Sequence, residues 1–218
     1  MTNFFITGTD TAVGKTHVIA LLLAELRRRG IRAAAMKPIA CGPDGRHDAE
    51  RYAALMNHEQ PLDVLNPVYL RHPLAPSVAA KLERRSIDLR KITRSYRLLA
   101  ADYSPLLVEG AGGLLVPIKR NYFVADLARD LDLPLLIVAR LGLGTLNHTL
   151  LTVRQAQAMG LKVAGIILND TTGNKRSLAE KTNIKAVPEL CGVPLLGVVP
   201  HGNGAVAARE ICRRLFLR

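Results

Sequence analysis

Gly14, Lys15 and Thr16 stand together where a short apolar run gives way to a helical pattern. That trio, in that place, handles phosphate. Residues 3–7 read as a strand, residues 8–13 as a loop, and residues 14–29 as a helix. Backbone N–H groups in such a loop converge on phosphate oxygens, and the helix N-terminus adds its positive dipole end. Lys15 reaches the β- and γ-phosphates, and Thr16 offers its hydroxyl to Mg²⁺. The pattern departs from the usual phosphate loop once. The glycine expected four intervening residues before Gly14 is Thr9, and Gly8 lies one place earlier. A partition-type ATPase would carry a second lysine just ahead of its GG-x-GKT loop. Asp10 stands at that position and argues against that class.

The elements that must hold this loop are legible as alternating apolar runs and helical spacings. Residues 3–7, 33–37, 106–109, 135–139, 163–168 and 195–199 are short and mostly apolar, as buried strands are. In the first helix Val18, Ile19, Leu22, Leu23 and Leu26 share a face. Arg27, Arg28 and Arg29 suit the C-terminal end of the dipole, and Gly30 is a natural stop. Asp44-Gly45 marks a turn, and Asp48 is placed to cap a helix running to Met56. Residues 66–76 carry three prolines and read as a loop. Residues 81–97 read as a basic helical segment, and further helices are expected near 123–131, 145–159 and 177–191. The rhythm predicts an α/β fold with a mostly parallel sheet and helices on both faces, one domain over residues 1–218, and the Gly14-Lys15-Thr16 loop makes that fold P-loop NTPase-like.

Composition excludes several classes. With 49% hydrophobic and 22% charged residues the chain is too apolar for a disordered protein. Only 4% is aromatic, which leaves little for base stacking. No apolar stretch reaches the length of a membrane span, and the start MTNFFITGTD lacks the marks of a secretory signal. Cys41, Cys191 and Cys212 are too few and too scattered for a disulfide framework or a zinc site, so a reducing cytoplasm is expected. The net charge is +12, with seven Lys or Arg in residues 81–97 against Glu83 and Asp88, and four in residues 209–218 against Glu210. No zinc module, aromatic RNA-binding signature or helix-turn-helix accompanies these charges. A solvated basic surface is the expectation, without a nucleic-acid partner.

The loop Gly8-Thr9-Asp10-Thr11-Ala12-Val13-Gly14-Lys15-Thr16 closely resembles the phosphate loop of dethiobiotin synthetases, and other pieces match in order. They are Lys37-Pro38, Asp48, Val108-Glu109-Gly110-Ala111-Gly112-Gly113, Gly142-Leu143-Gly144-Thr145-Leu146-Asn147-His148, Asn169-Asp170 and Leu196-Gly197-Val198-Val199-Pro200. The matches span residues 3–202. The resemblance implies closure of the ureido ring of biotin's precursor from 7,8-diaminononanoate, CO₂ and ATP with Mg²⁺. It implies a homodimer in which Gly144 and Asn147 of one subunit hold the substrate's carboxylate tail in the other. Two alternatives stand beside it: a related P-loop ligase or amidase acting on another small carboxylated substrate, and a nucleotide-dependent binding switch.

Residue roles follow position by position. Lys37, at a strand end, is on position alone as readily a solvent-edge lysine as a catalytic one; the resemblance turns it toward the carbamate and the transferred phosphoryl group, with Lys15 and Thr11 beside it. Thr16, Asp48 and Glu109 are the candidate Mg²⁺ ligands, since Mg²⁺ takes oxygen donors. Glu109 is otherwise an N-cap or a surface carboxylate, and Asp48 a helix cap. By resemblance Ala12, Val13, Gly14, Lys15, Thr16, His17, Asp48, Glu109, Gly110, Ala111 and Gly112 line the nucleotide phosphates. Asn169, Asp170, Pro200, His201 and Gly202 lie toward the base, where an Asn offers both donor and acceptor. Without the resemblance these last residues are turns. Thr11, Lys37, Cys41, Gly144 and Asn147 fall on the substrate side. Two residues depart from the family: Cys41 stands where a Ser or another small residue is common, and Ala12 where an acidic residue is.

Overall fold

A computed structural model describes residues 1–217. Among these described residues, ten strands and nine helices follow in chain order. The first half runs β1 (Phe4–Gly8), α1 (Lys15–Arg28), β2 (Ala34–Met36), β3 (Ile39–Cys41), α2 (His47–Leu55), α3 (Leu62–Leu65), β4 (Val68–Leu70), α4 (Pro76–Leu82) and α5 (Leu89–Asp102). The second half runs β5 (Leu106–Gly113), β6 (Pro117–Lys119), β7 (Tyr122–Phe123), α6 (Val124–Asp130), β8 (Leu135–Arg140), α7 (Thr145–Ala158), β9 (Val163–Asn169), α8 (Leu178–Cys191), β10 (Leu195–Val199) and α9 (Ala205–Phe216). The six expected apolar runs form one six-stranded sheet in the order β10-β9-β8-β1-β5-β2, and every pairing in it is parallel.

Both faces of that sheet are buried, which is why its strands are nearly continuous apolar runs. Alternate residues of β8 show the two faces. Leu136 and Val138 join the larger core with Leu22, Leu23 and Ile211, whereas Ile137 and Ala139 join a second cluster with Val153 and Val187. Helices α1 and α9 therefore cover one face, and α7 and α8 the other. The apolar face of α1 is buried as its spacing predicts, from Val18 to Leu26. Gly30 ends that helix in the left-handed region at φ +75°.

Three expectations are corrected, and two elements are added that the sequence does not announce. Asp48 does not cap α2: Arg46 holds the cap position and Asp48 lies in the first turn, where its charge still suits the dipole. Residues 66–76 are not all loop, because β4 pairs with β3 in a separate two-stranded sheet. Residues 81–97 are not one helix. Arg84 takes φ +51°, and the Asp88 side chain caps a new helix, α5, by accepting from the backbone N–H groups of Arg90 and Lys91. The basic stretch at 209–218 lies largely on an amphipathic helix, α9, that buries Ala208, Ile211, Cys212 and Phe216; Arg218 itself lies outside the described residues. The short strands β6 and β7 form an antiparallel pair that the sequence reading left out. Among the described residues no helix is long and apolar enough to cross a membrane.

Candidate active site

The phosphate loop joins the carboxyl end of β1 to α1, in the middle of the sheet, where open α/β sheets bind ligands. Gly8 explains how the loop works without a glycine at position 9. A β-carbon on Gly8 would lie 2.7 Å from the Asp10 carbonyl oxygen and 3.0 Å from Lys15 Nζ, so only glycine lets the loop curl back over the strand end. Gly14 takes φ +92° at the helix cap, and Ala12 sits in the left-handed region at φ +56°. The Lys15 ammonium folds back under the loop and donates to the Asp10 carbonyl oxygen at 3.2 Å. Burial pushes the Lys15 ammonium below its ordinary value, against the pull of Glu109. Asp10, at the position of the second lysine of partition ATPases, instead accepts the Thr11 backbone N–H at 2.7 Å.

Four segments far apart in sequence meet beside that loop. Lys37, directly after β2, donates from Nζ to Asp48 Oδ2 at 2.5 Å and to Glu109 Oε1 at 2.6 Å. Thr16 Oγ1 donates to the same Glu109 oxygen at 3.0 Å. The Tyr52 hydroxyl donates to the other, Glu109 Oε2. Burial alone would push the Lys37 ammonium down, but the Glu109 and Asp48 carboxylates outweigh it and raise it above its ordinary value. Tyr52 is fully buried, and that burial, with the Glu109 charge, pushes its phenol well above its ordinary value. A hydroxyl and two carboxylates are hard oxygen donors of the kind Mg²⁺ takes, so Thr16, Asp48 and Glu109 fit that ion. They form a mixed set; among the described residues no three His, Cys, Asp or Glu side chains group as a metal cluster.

A cavity of about 420 Å³ opens beside Lys37. Thr11, Lys37, Cys41, Asp48, Ala111 and Gly112 all line it, and Ile39, Pro73, Leu74, Pro76 and Val116 give it apolar walls. The Cys41 thiol is half-buried, and burial pushes it up to about 11. It therefore stays protonated, a small packing group. Gly110 continues β5 toward the cavity, under Phe5 and Val124.

At the carboxyl end of β9, the Asn169 side chain donates from Nδ2 to the Val13 carbonyl oxygen at 2.9 Å, and its Oδ1 is buried without a partner among the described residues. Asp170 is committed to its own loop: Oδ1 accepts from the backbone N–H groups of Thr172 and Gly173, each at 3.1 Å. Although burial opposes it, those N–H groups hold the Asp170 carboxyl below its usual value. Pro200, His201 and Gly202 follow β10 alongside, with the His201 ring against Gly173. His17, in the first turn of α1, is pushed down by burial and by nearby Arg51 and His201. Gly144 and Asn147 are exposed at the start of α7 and do not line the cavity.

The sequence reading missed Tyr52 and the segment from Pro73 to Pro76. Tyr52 reads as one more apolar residue inside a helix, and nothing in its spacing points at Glu109. The proline segment left a usable signal, since a rigid turn beside a strand end can wall a cavity.

Comparison with known proteins agrees with this architecture. A family model described as an AAA domain matches residues 2–209. The chain is 42% identical over 203 residues to the ATP-dependent dethiobiotin synthetase of Bacillus licheniformis, covering 92% of this chain and 86% of that one. It is 40% identical to the enzyme of the same name from Akkermansia muciniphila, covering 99% of this chain and 100% of that one. Among solved structures, the septum site-determining protein MinD of Pyrococcus horikoshii, complexed with Mg-ADP, aligns with a TM-score of 0.65 at 19% identity, covering 99% of this chain and 96% of that one. A ParA family ATPase from Chlorobium tepidum aligns with a TM-score of 0.55 at 13% identity, covering 98% and 92%. These two likenesses concern the fold. With the phosphate loop, the Lys37–Glu109 ion pair and 40–42% identity to its named relatives over nearly the whole chain, the chain belongs to the ATP-dependent dethiobiotin synthetase family.

Proposed function

We propose that the protein closes the ureido ring of dethiobiotin from 7,8-diaminononanoate and CO₂ at the expense of ATP, in biotin biosynthesis. The observation that carries the reading is the position of Lys37. Its ammonium lies on the carboxylates of Asp48 and Glu109 and at the same time lines a cavity with apolar walls beside the phosphate loop. A diamine with an apolar chain suits such a cavity, and the γ-phosphate of a nucleotide in the loop would face it.

In this reading one amine takes up CO₂, losing a proton, to form a carbamate. A carbamate oxygen attacks the γ-phosphorus and ADP leaves. The second amine then attacks the carbonyl carbon, the ring closes, and phosphate departs. Phosphoryl transfer needs positioning and neutralised charge more than covalent help. Lys15 and the loop N–H groups hold the β- and γ-phosphates. Lys37 faces the carbamate and the transferred phosphoryl group, and Thr11 lines the substrate side. Thr16, Asp48 and Glu109 would hold Mg²⁺, whose charge offsets that of the phosphates. The free Asn169 Oδ1 is an acceptor suited to the exocyclic amine of adenine.

A homodimer belongs to the same proposal, with the neighbour's Gly144 and Asn147 holding the carboxylate tail. Both residues are exposed at a helix start, where backbone N–H groups attract an anion. So does a cytoplasmic setting, which suits three free cysteines.

The test is phosphate release from the purified protein with ATP, Mg²⁺ and bicarbonate, with and without the diamine, and mass spectrometry of the product. Diamine-dependent release with the mass of dethiobiotin is expected. ATP binding without diamine-dependent turnover would overturn the reading in favour of another ligase or a nucleotide-gated binder.

A further inference from the structure

Glu109 is 1% exposed, and its two carboxylate oxygens are treated differently. Oε1 faces the site and accepts from Lys37 and Thr16. Oε2 faces inward, and its donor among the described residues is the Tyr52 hydroxyl. Tyr52 is fully buried in α2, one turn after Asp48. Residues four apart lie on the same helix face. One rigid helix therefore delivers a carboxylate to Lys37 and a phenol to the back of Glu109.

We infer that Tyr52 is a positioning residue for Glu109: its hydroxyl anchors Oε2 and thereby aims Oε1 at Thr16 and the metal position. The inference rests on the reading of Glu109 as a Mg²⁺ ligand. A glutamate's terminal torsion is broad and sets no orientation by itself. With Oε2 fixed, the carboxylate plane is fixed, and the ligand oxygen is presented without reorganisation. Groups that orient a metal ligand from behind typically govern about 10- to 100-fold in metal affinity or activity. A tyrosine that merely filled the core would act through its ring, which Phe retains.

The discriminating variant is Tyr52→Phe, with Glu109→Gln as reference. The readout is Mn²⁺ binding to the protein–ADP complex, followed by the electron paramagnetic resonance signal of free Mn²⁺. ADP affinity in EDTA and the thermal midpoint are measured alongside. Tyr52→Phe is expected to weaken Mn²⁺ binding by about tenfold and to raise the Mg²⁺ concentration for half-maximal turnover by a similar factor. ADP affinity without metal should stay at the parent value, and turnover should recover at high Mg²⁺. If Glu109→Gln weakens Mn²⁺ binding while Tyr52→Phe matches the parent, the role of Tyr52 is overturned and that of Glu109 stands. If ADP affinity in EDTA falls in step with Mn²⁺ affinity, Tyr52 is a packing residue and the inference fails. Should Glu109→Gln leave Mn²⁺ binding unchanged, the metal reading of Glu109 fails and the inference falls with it.

Discussion

The Asn169 side chain donates to the Val13 carbonyl oxygen at 2.9 Å, tying the carboxyl end of β9 to the phosphate loop across 156 positions of sequence. The contact is close, since a β-carbon on Gly14 would collide with the same amide nitrogen. One side chain thus braces the loop through its donor, and its acceptor is the atom that the proposed function assigns to a base.

Asn169→Ala removes both functions. A hydrogen bond of this kind contributes about 1 kcal/mol, and an unmet buried group costs about 1–3 kcal/mol. The KM for ATP should rise by roughly tenfold, since 1.4 kcal/mol is one decade. Discrimination of ATP against GTP should fall as well. Steady-state kinetics with both nucleotides would show it, and an unchanged ATP to GTP ratio would remove Asn169 from base recognition.

How much of this was legible in sequence depended on what holds each part. The six sheet strands were, because burial on both faces forces apolar runs such as Leu135–Arg140. Strand β4 was not, because Val68–Leu70 is short and pairs with β3 alone, inside a stretch punctuated by Pro67, Pro73 and Pro76. Helix α9 was readable in principle: Ala208, Ile211 and Cys212 follow helical spacing, but its arginines drew the reading toward charge. In the site, Lys15 and Thr16 announced themselves by adjacency. The meeting of Lys37 with Glu109, 72 positions away, is a product of the parallel pairing of β2 with β5, and no sequence spacing announces it. The role of Tyr52 had no local signal, because a buried phenol and a buried phenyl occupy the same pattern.

Lys37→Ala should leave ATP binding near the parent and cut turnover. Lys15 and the phosphate loop are untouched, whereas the cation that in the proposed reaction would face developing charge is gone. Loss of one such group typically lowers kcat by about 10²–10³. Lys37→Arg keeps the charge but spreads it over a planar fork that a compact site accommodates poorly, so little rescue is expected. Equilibrium ATP binding combined with turnover at saturating substrates separates the two effects. Turnover near the parent would place Lys37 outside the chemistry.

Cys41 lines the cavity beside Lys37, yet burial, with Glu83 adding to it, holds its thiol at about 11. At pH 8 roughly one thiol in a thousand is ionised. Cys41→Ser should therefore turn over within about threefold of the parent, since no thiolate is called on. Alkylation of Cys41 by iodoacetamide should be slow at pH 8 and accelerate by about tenfold per pH unit to pH 10, tracking the thiolate. Peptide mapping after timed alkylation follows this one thiol. Fast labelling at pH 8 would contradict the protonated state.

Glu25 makes the clearest pH-dependent contribution to stability. It accepts from Arg28 Nε at 2.8 Å and Arg29 Nε at 2.5 Å, and those hydrogen bonds, Arg28 first, bring its carboxyl down from 4.5 to about 2. A carboxyl lower in the folded state than in the unfolded one stabilises the fold above its unfolded value. That contribution fades as pH falls from about 4.5 toward about 2. Both arginines lie on the outside of α1, so solvent screening holds the effect to roughly 0.5–1 kcal/mol. Glu25→Gln should lower the thermal midpoint at pH 7 by about 1–3 °C. The deficit should narrow at pH 4 and narrow further at pH 3. Thermal unfolding of parent and variant at these three pH values measures it, and a deficit that stays constant with pH would show that Glu25 acts through packing rather than charge.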